Sequence, residues 1–356
     1  MAASSLIQDL VQKIGRLIIV GFMGTSPQDP EVIQLSQAIE QGRVGGIIFF
    51  AHNIENPTQI KKLTAHFKSL RSPHSLILAI DQEGGKVKRL TKDKGFEDFP
   101  SARFVEETYA PKIAYLKYKE MAQMTADAGF NMVFGPCVDL MADSQGRKNP
   151  AIGGKERSFS SDPEAVIQYA KAFIQAHRDV GVMTSIKHFP GHGFASSDTH
   201  LGLVDVTKTF EEQELSPFYS LLDSGDADMI MTAHIVNKNW DKDNPVTLSP
   251  VALQKLYYDK GYKLPVISDD LMMGAIVKKY SIEQAIVKSL NAGVTLLIVS
   301  NNAAATGGVN ASSKSKQAQD FRKPFDVIYK ALIDKRIAPH VIQKAFDINV
   351  TALKKN

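Results

Sequence analysis

Residues 75–81 read SLILAID: five apolar residues in succession, then a carboxylate. A strand with one wet face alternates apolar and polar positions, so an unbroken apolar run of this length marks a strand covered on both faces, as in a parallel sheet. Seven further runs have the same character: LIIVGF (17–22), VGGIIFF (44–50), NMVFGP (131–136), VMTSIKHF (182–189), DMIMTAH (228–234), LPVISDD (264–270) and VTLLIVS (294–300). Segments with helical spacing separate them. In SDPEAVIQYAKAFIQAHRDVG, Pro163 suits a first helical turn, Val166, Ile167, Ala170, Phe173 and Ile174 share one face, and Gly181 ends the element. A second helix is expected to start near Thr209, whose spacing to Glu212 fits a capping box.

Eight strands alternating with helices predict an α/β protein built as a (β/α)8 TIM barrel, a single domain over residues 1–356 with an extra N-terminal helix and a terminal helical pair from about Phe321. An open doubly wound sheet is the alternative, but no GxGxxG follows the first strand and there is no P-loop. No linker-like stretch divides the chain. The segment NNAAATGGVNASSKSKQAQ (301–319) follows the last strand and reads as a long surface loop.

Composition narrows the function. Hydrophobic residues make up 44% of the 356 and charged residues 22%, which is a globular balance. The 42 basic and 38 acidic residues are spread without basic blocks, which argues against a nucleic-acid partner. The apolar runs are too short to span a bilayer, so no membrane partner is expected, and MAASSLIQDLVQKIG reads as a helix rather than a secretory signal. The lone cysteine, Cys137, rules out an intrachain disulfide and leaves too few ligands for a thiolate zinc site or an iron–sulfur cluster; it reads as a buried small residue.

Active-site residues of such a barrel belong at the C-terminal ends of the strands. Strand three ends with Asp81 and Glu83, strand five with Lys187 and His188, strand six with His234, and strand seven with Asp269 and Asp270. Charges directly after buried apolar runs are costly unless paired or used, and four strands ending this way point to one shared rim.

The connection after strand five, KHFPGHGFASSDTH (187–200), shows no regular element from Pro190 to Lys208. That is longer than the roughly 12 to 15 residues beyond which a structureless loop is usually functional or disordered. It reads as a flap with Gly191 and Gly193 as hinges. Three chemistries compete for it. A metal could use His188, His192, His200 and His234, although Pro190 and Gly191 keep the first two off a common helix face. A phosphate cradle would need a helix directly after the glycines. Acid–base work by His200, oriented by Asp198, needs only a partner across the rim, and the carboxylates of SDDLMMG offer one for displacement at an anomeric carbon.

Taken together, IDQEGGKVKRL, KERSFSSDP, IKHFPGHGFASSDTHLGL and ISDDLMMGAI, in this order and spacing, resemble glycoside hydrolase family 3, in particular its β-N-acetylglucosaminidase branch. The resemblance implies a retaining double displacement with Asp269 as nucleophile and His200, assisted by Asp198, as acid/base. It implies that Asp81, Arg157, Lys187 and His188 grip the hydroxyls of a terminal GlcNAc, and that no metal or cofactor is needed. His234 and Met272 are expected to line the pocket. Asp270 is expected to be a hydrogen-bonding neighbour, Glu83 to stabilise the turn after strand three, His192 to pack within the flap and His177 to be structural. The expected substrate is a small GlcNAc glycoside, typically a peptidoglycan fragment, cleaved by a monomer in the bacterial cytoplasm, or in the periplasm or outside the cell if a signal has been removed. A β-N-acetylglucosaminide phosphorylase, β-glucosidase-type specificity and a non-catalytic muropeptide-binding barrel are the alternatives.

Overall fold

The computed structural model describes residues 2–195, 198–199, 202–301 and 320–353. His200, the expected acid/base, lies outside these residues, as does nearly all of the loop expected at 301–319.

All eight expected strands form where the apolar runs lie: β1 (Ile18–Gly21), β2 (Gly46–Phe49), β3 (Ile77–Ile80), β4 (Met132–Val133), β5 (Met183–Thr184) continued after Ser185 by β6 (Ile186–Phe189), β8 (Ile230–Thr232), β10 (Val266–Ser268) and β11 (Leu297–Val299). The remaining two, β7 (Val204–Asp205) and β9 (Ile235–Val236), pair with each other and have no counterpart among the expected strands. β7 falls inside the connection that the sequence leaves without a regular element; two residues are too few to register as periodicity.

Every ladder is parallel, in the orders β11-β1-β2-β3-β4-β5 and β10-β8-β6. An isolated parallel bridge also joins Ile267 of β10 to Leu296 beside β11, and another joins Cys137 to Lys187. Alternation along each strand sends neighbouring residues to opposite faces. Ile18, Val20, Ile47, Phe49, Leu78 and Ile80 enter the large core beneath the helices. Ile19, Ile48, Ala79, Met132, Met183, Met231, Ile267 and Ile298 meet on the other face in one shared cluster. Both faces are therefore dry, which is why the runs carry no polar alternation.

The helices are α1 (Ala2–Ile14), α2 (Pro30–Glu40), α3 (Pro57–Ser69), α4 (Ala102–Thr108), α5 (Pro111–Asp127), α6 (Pro163–Arg178), α7 (Ser216–Asp223), α8 (Pro250–Leu256), α9 (Gly274–Val277), α10 (Ile282–Ala292), α11 (Lys323–Ile333) and α12 (Pro339–Leu353). α6 starts and stops where its sequence indicates, with Asp162 as N-cap accepting from the Glu164 N–H. The helix expected from Thr209 starts later: a 3-10 turn covers Glu212–Leu215 and α7 begins at Ser216, where Pro217 fits the first turn. α1 packs on α12, so the extra N-terminal helix and the terminal pair share one side of the molecule. No described helix is long and apolar enough to cross a membrane.

Candidate active site

The segment after β3 supplies the first half of the site. Gln82, fully buried, accepts from the backbone N–H groups of Arg89 (3.0 Å) and Leu90 (3.1 Å), folding residues 83–90 back on the strand. Gly84 and Gly85 take positive φ in this turn, and a Cβ on Gly84 would lie 2.3 Å from the Pro100 carbonyl oxygen. The fold-back returns the Arg89 guanidinium to Asp81, at 2.9 Å.

β6 supplies the second half. Lys187, nearly inaccessible, places Nζ 3.0 Å from Asp81 Oδ1 and 2.6 Å from Glu83 Oε1. Arg157, from the long segment between β4 and α6, grips Glu83 with both arms: Nε to Oε2 at 2.9 Å and Nη2 to Oε1 at 2.8 Å. The same Nη2 lies 3.2 Å from His188 Nε2. The structure thus brings Asp81, Arg157, Lys187 and His188 together, and adds two residues that sequence reasoning missed as members of this charged cluster. Glu83 is the carboxylate at its centre rather than a turn stabiliser, and Arg89 is its third cation.

Two carboxylates against three cations explain the electrostatics. Burial works to raise both carboxyls, but the Lys187 and Arg89 charges hold Asp81 well below the usual carboxylate range, and Arg157 with Lys187 holds Glu83 at about 2. Burial would lower Lys187 and Arg157 in turn; the facing carboxylates outweigh it and raise both.

Behind His188 lies a carboxylate that the sequence places within the apolar stretch VFGPCVDL. Asp139, inaccessible to solvent, accepts from His188 Nδ1 (2.6 Å), from the backbone N–H of His188 (3.1 Å) and of His192 (2.9 Å), and from Cys137 Sγ (3.2 Å). Burial raises its carboxyl, but His188 and His192 outweigh this and bring it to about 2. Cys137, Asp139 and His188 offer three donor atoms within 4.8 Å of one another, a set able to hold a metal ion. Here the thiol and the imidazole both direct protons at the same carboxylate, and burial pushes the Cys137 thiol well up, so a metal would have to displace both protons from a dry site.

The loop after β6 is anchored at its root. Besides the His192 N–H on Asp139, the Phe194 N–H donates to Glu214 (3.1 Å) and Asn149 donates to the Ala195 carbonyl (2.5 Å). Glu214 is buried, and burial together with the Asp139 charge pushes its carboxyl well above the ordinary range. A Cβ on Gly193 would lie 1.9 Å from the Leu140 carbonyl oxygen, and one on Gly191 would lie 2.5 Å from Glu214 Cβ. Close packing accounts for both glycines in this root, and Gly191 in addition takes a positive φ that only glycine adopts readily.

Farther out, Asp198 Oδ2 lies 3.4 Å from Lys155 Nζ. Thr199 is buried; its hydroxyl is 3.3 Å from His192 Nε2 and its carbonyl accepts from the Ala275 N–H at 3.1 Å. The residue between Asp198 and His200 is therefore tied to α9, directly after the strand-seven carboxylates. Burial lowers His192 to about 4, and His177, stacked on Phe173 inside α6, to about 4 for the same reason.

At the end of β10 two adjacent aspartates have opposite environments. Asp269 is half-buried; its N–H donates to the Thr232 carbonyl (3.3 Å), and its Oδ1 accepts the Asp270 N–H (2.8 Å). Asp270 is turned inward, accepting from the Ser300 hydroxyl, the Ser300 N–H (3.0 Å) and the Met272 N–H (3.0 Å). Burial, with the Asp269 charge beside it, raises Asp270 to about 6. His234 is fully buried and uses its two ring nitrogens on the Thr247 hydroxyl (2.8 Å) and the Asp270 carbonyl (2.9 Å), bracing this turn from inside; Met272 is half-buried next to it.

These shifts fix a stability profile. His177 and His192 stay neutral in the fold but take protons below about 6.5 once unfolded, while Glu83 and Asp139 stay ionised below the unfolded carboxylate values of 4.5 and 3.8. In both cases the unfolded chain binds more protons, so stability rises with pH. Asp270, at about 6, and Glu214, also raised, take protons in the fold first and oppose the histidines, so on acidification the urea midpoint is expected to change little in an upper stage from about 6.5 to about 4 and to fall mainly in a lower stage from about 4.5 to about 2, through the carboxylates. Lys187→Met is expected to cost about 3–5 kcal/mol at pH 7 by leaving buried carboxylates uncompensated, and to shrink only the lower stage. An unchanged lower stage in that variant would contradict the cluster.

Residues 9–319 match the family model described as the glycosyl hydrolase family 3 N terminal domain. A β-hexosaminidase from Nitrosomonas eutropha is 31% identical over 299 residues, with 80% of each chain covered. One from Photobacterium profundum is 35% identical over 274 residues, covering 75% of this chain and 77% of its own. Among solved structures, a glycoside hydrolase family 3 β-N-acetylglucosaminidase from Paenibacillus sp. str. FPU-7 superposes with a TM-score of 0.83 at 29% identity, over 97% of this chain and 62% of that longer one. With the carboxylate pair directly after β10 and the charged cluster after β3 and on β6 already in place, these likenesses make the chain a member of glycosyl hydrolase family 3, through that family's N-terminal domain.

Proposed function

We propose that the chain is a retaining exo-β-N-acetylglucosaminidase that releases terminal non-reducing GlcNAc, from peptidoglycan fragments in the cell, and that its strands close into a single-domain (β/α)8 barrel over residues 1–356. Closure is supported by the parallel strand order, by the Ile267–Leu296 bridge across the remaining gap, and by the inner cluster to which all eight strand positions contribute. The names of the relatives support the sugar.

The observation that carries the chemistry is the docking of Thr199 on α9, which ties the residue that follows Asp198 in the sequence to the residues that follow Asp269. In the proposed reaction Asp269 attacks the anomeric carbon while His200 donates a proton to the departing oxygen, leaving a covalent glycosyl-enzyme. His200, its imidazolium stabilised by Asp198, then takes a proton from water; the water oxygen bonds to the anomeric carbon and the Asp269 carboxylate departs. The hydroxyls of the sugar are gripped by Asp81, Arg157, Lys187 and His188, held in place before substrate arrives by the Lys187–Asp81 ion pair, by the pairs of Lys187 and Arg157 with Glu83 and by the Arg157 contact to His188.

The test is product analysis with an aryl β-GlcNAc, an aryl β-glucoside, chitooligosaccharides and defined muropeptides, each with and without phosphate. Free GlcNAc, released first as the β-anomer and with the glucoside a poor substrate, is the expected result. GlcNAc-1-phosphate would make the enzyme a phosphorylase, and no release by the folded protein would make it a binding barrel.

A further inference from the structure

We infer that Asp139 is a positioning residue that sets the tautomer of His188 and thereby makes His188 Nε2 an acceptor at the sugar grip, an inference that rests on the grip reading above. Arg157 decides which nitrogen carries the proton. A guanidinium has only donors, so the nitrogen 3.2 Å from it, His188 Nε2, must be the unprotonated one. The ring proton is then on Nδ1, directed at Asp139 Oδ2 at 2.6 Å. Asp139 is suited to hold it there: it is ionised, inaccessible, and fixed by two backbone N–H groups, those of His188 and His192.

The same carboxylate therefore joins two parts of the site. One oxygen faces the root of the loop that leads to Asp198, through the His192 N–H. The other orients the ring that faces Arg157. Cys137, donating its S–H to that second oxygen, completes the set and gives the lone cysteine a place as a protonated donor rather than a nucleophile.

Asp139→Asn separates the two functions. The amide oxygen can still accept the His192 N–H, so the loop root keeps its anchor, but the amide nitrogen donates where a carboxylate oxygen accepted. His188 Nδ1 must then accept, its proton moves to Nε2, and Nε2–H meets the Arg157 N–H donor to donor. A grip that has lost its imidazole acceptor and sets two donors against each other is expected to bind an aryl β-GlcNAc about tenfold to a hundredfold more weakly, read as a rise in KM with kcat affected much less.

The decisive readout is the ring itself. In protein labelled with 15N-histidine, with the resonances of His188 identified by their loss in His188→Gln, long-range 1H–15N correlation spectra are expected to show a protonated Nδ1 and an unprotonated Nε2. The pattern should exchange in Asp139→Asn. In a His188→Gln background, Asp139→Asn should raise KM no further. A native His188 protonated on Nε2 overturns the inference whether or not the variant folds; so does an unchanged tautomer in Asp139→Asn, or an additive KM effect in the double variant. Because the spectrum does not depend on turnover, a correct tautomer in a protein without GlcNAc release would fail the functional reading and leave the positioning inference standing.

Discussion

Asp269→Ala is expected to lose on the order of 10^4-fold or more in turnover of an aryl β-GlcNAc while unfolding with a melting transition like that of the parent protein. The size of the loss follows from the role proposed for the carboxylate: without the nucleophile no covalent intermediate would form, and the adjacent Asp270 is not placed to substitute. Asp270 faces inward, clamped by Ser300 and the Met272 N–H and raised to about 6 by its burial. Asp269 itself is half-buried, with its N–H on the Thr232 carbonyl and its Oδ1 on the Asp270 N–H, so alanine removes the reactive group without opening a cavity in the core. Asp270→Ala provides the contrast. Its expected effect is on folding stability, since the Ser300 clamp on which β11 ends would be broken. Comparable loss of turnover from both variants at full stability would contradict the division of roles.

His200→Ala is expected to show a loss in kcat/KM that depends on the leaving group. A positioned acid contributes about 10²–10⁴-fold when the departing oxygen needs its proton and little when it does not. Since kcat/KM reports the steps up to formation of the glycosyl-enzyme, a dinitrophenyl glycoside should be nearly spared and an alkyl glycoside or oligosaccharide should suffer the full loss. Turnover of the activated substrate should instead become limited by the second step, where the same imidazole is proposed to act as base, and a burst of released phenol should appear. Equal loss across all leaving groups would argue against acid catalysis by His200. Asp198, held near Lys155 and followed by the docked Thr199, should give a smaller loss of the same pattern on replacement by asparagine.

Much of this arrangement is legible in the amino-acid sequence alone. Strand positions follow from apolar runs because both faces of a parallel sheet are dry, and each run ends where the rim begins. SLILAID illustrates both points: Leu78 and Ile80 enter the helix-covered core, Ile77 and Ala79 the inner cluster, and Asp81 emerges at the end of β3 to meet Lys187. Pairings across the rim are a different matter. Glu83 reads as a turn residue because nothing in IDQEGG reveals that Arg157, 74 positions later, reaches it with two hydrogen bonds. Arg89 is one of three cations in KVKRL, and only the Gln82 fold-back selects it. Asp139 carries a signal, a carboxylate within an apolar run, where burial of charge is costly unless several donors serve it. The later start of α7 has a local cause: Thr209 and Glu212 have capping-box spacing, but the chain between them is not helical, and Pro217 sets the first turn instead. The glycines of KHFPGHG suggest hinges because sequence shows their freedom and hides what packs against them.

The most direct test of the central claim, that Asp269 forms a glycosyl-enzyme with GlcNAc, is peptide mass mapping after reaction with an activated 5-fluoro GlcNAc fluoride whose intermediate breaks down slowly. The expected result is one added sugar per chain, carried on Asp269 and chased off by excess acceptor. A label on any other residue, or turnover of β-GlcNAc substrates with no label formed, would contradict it.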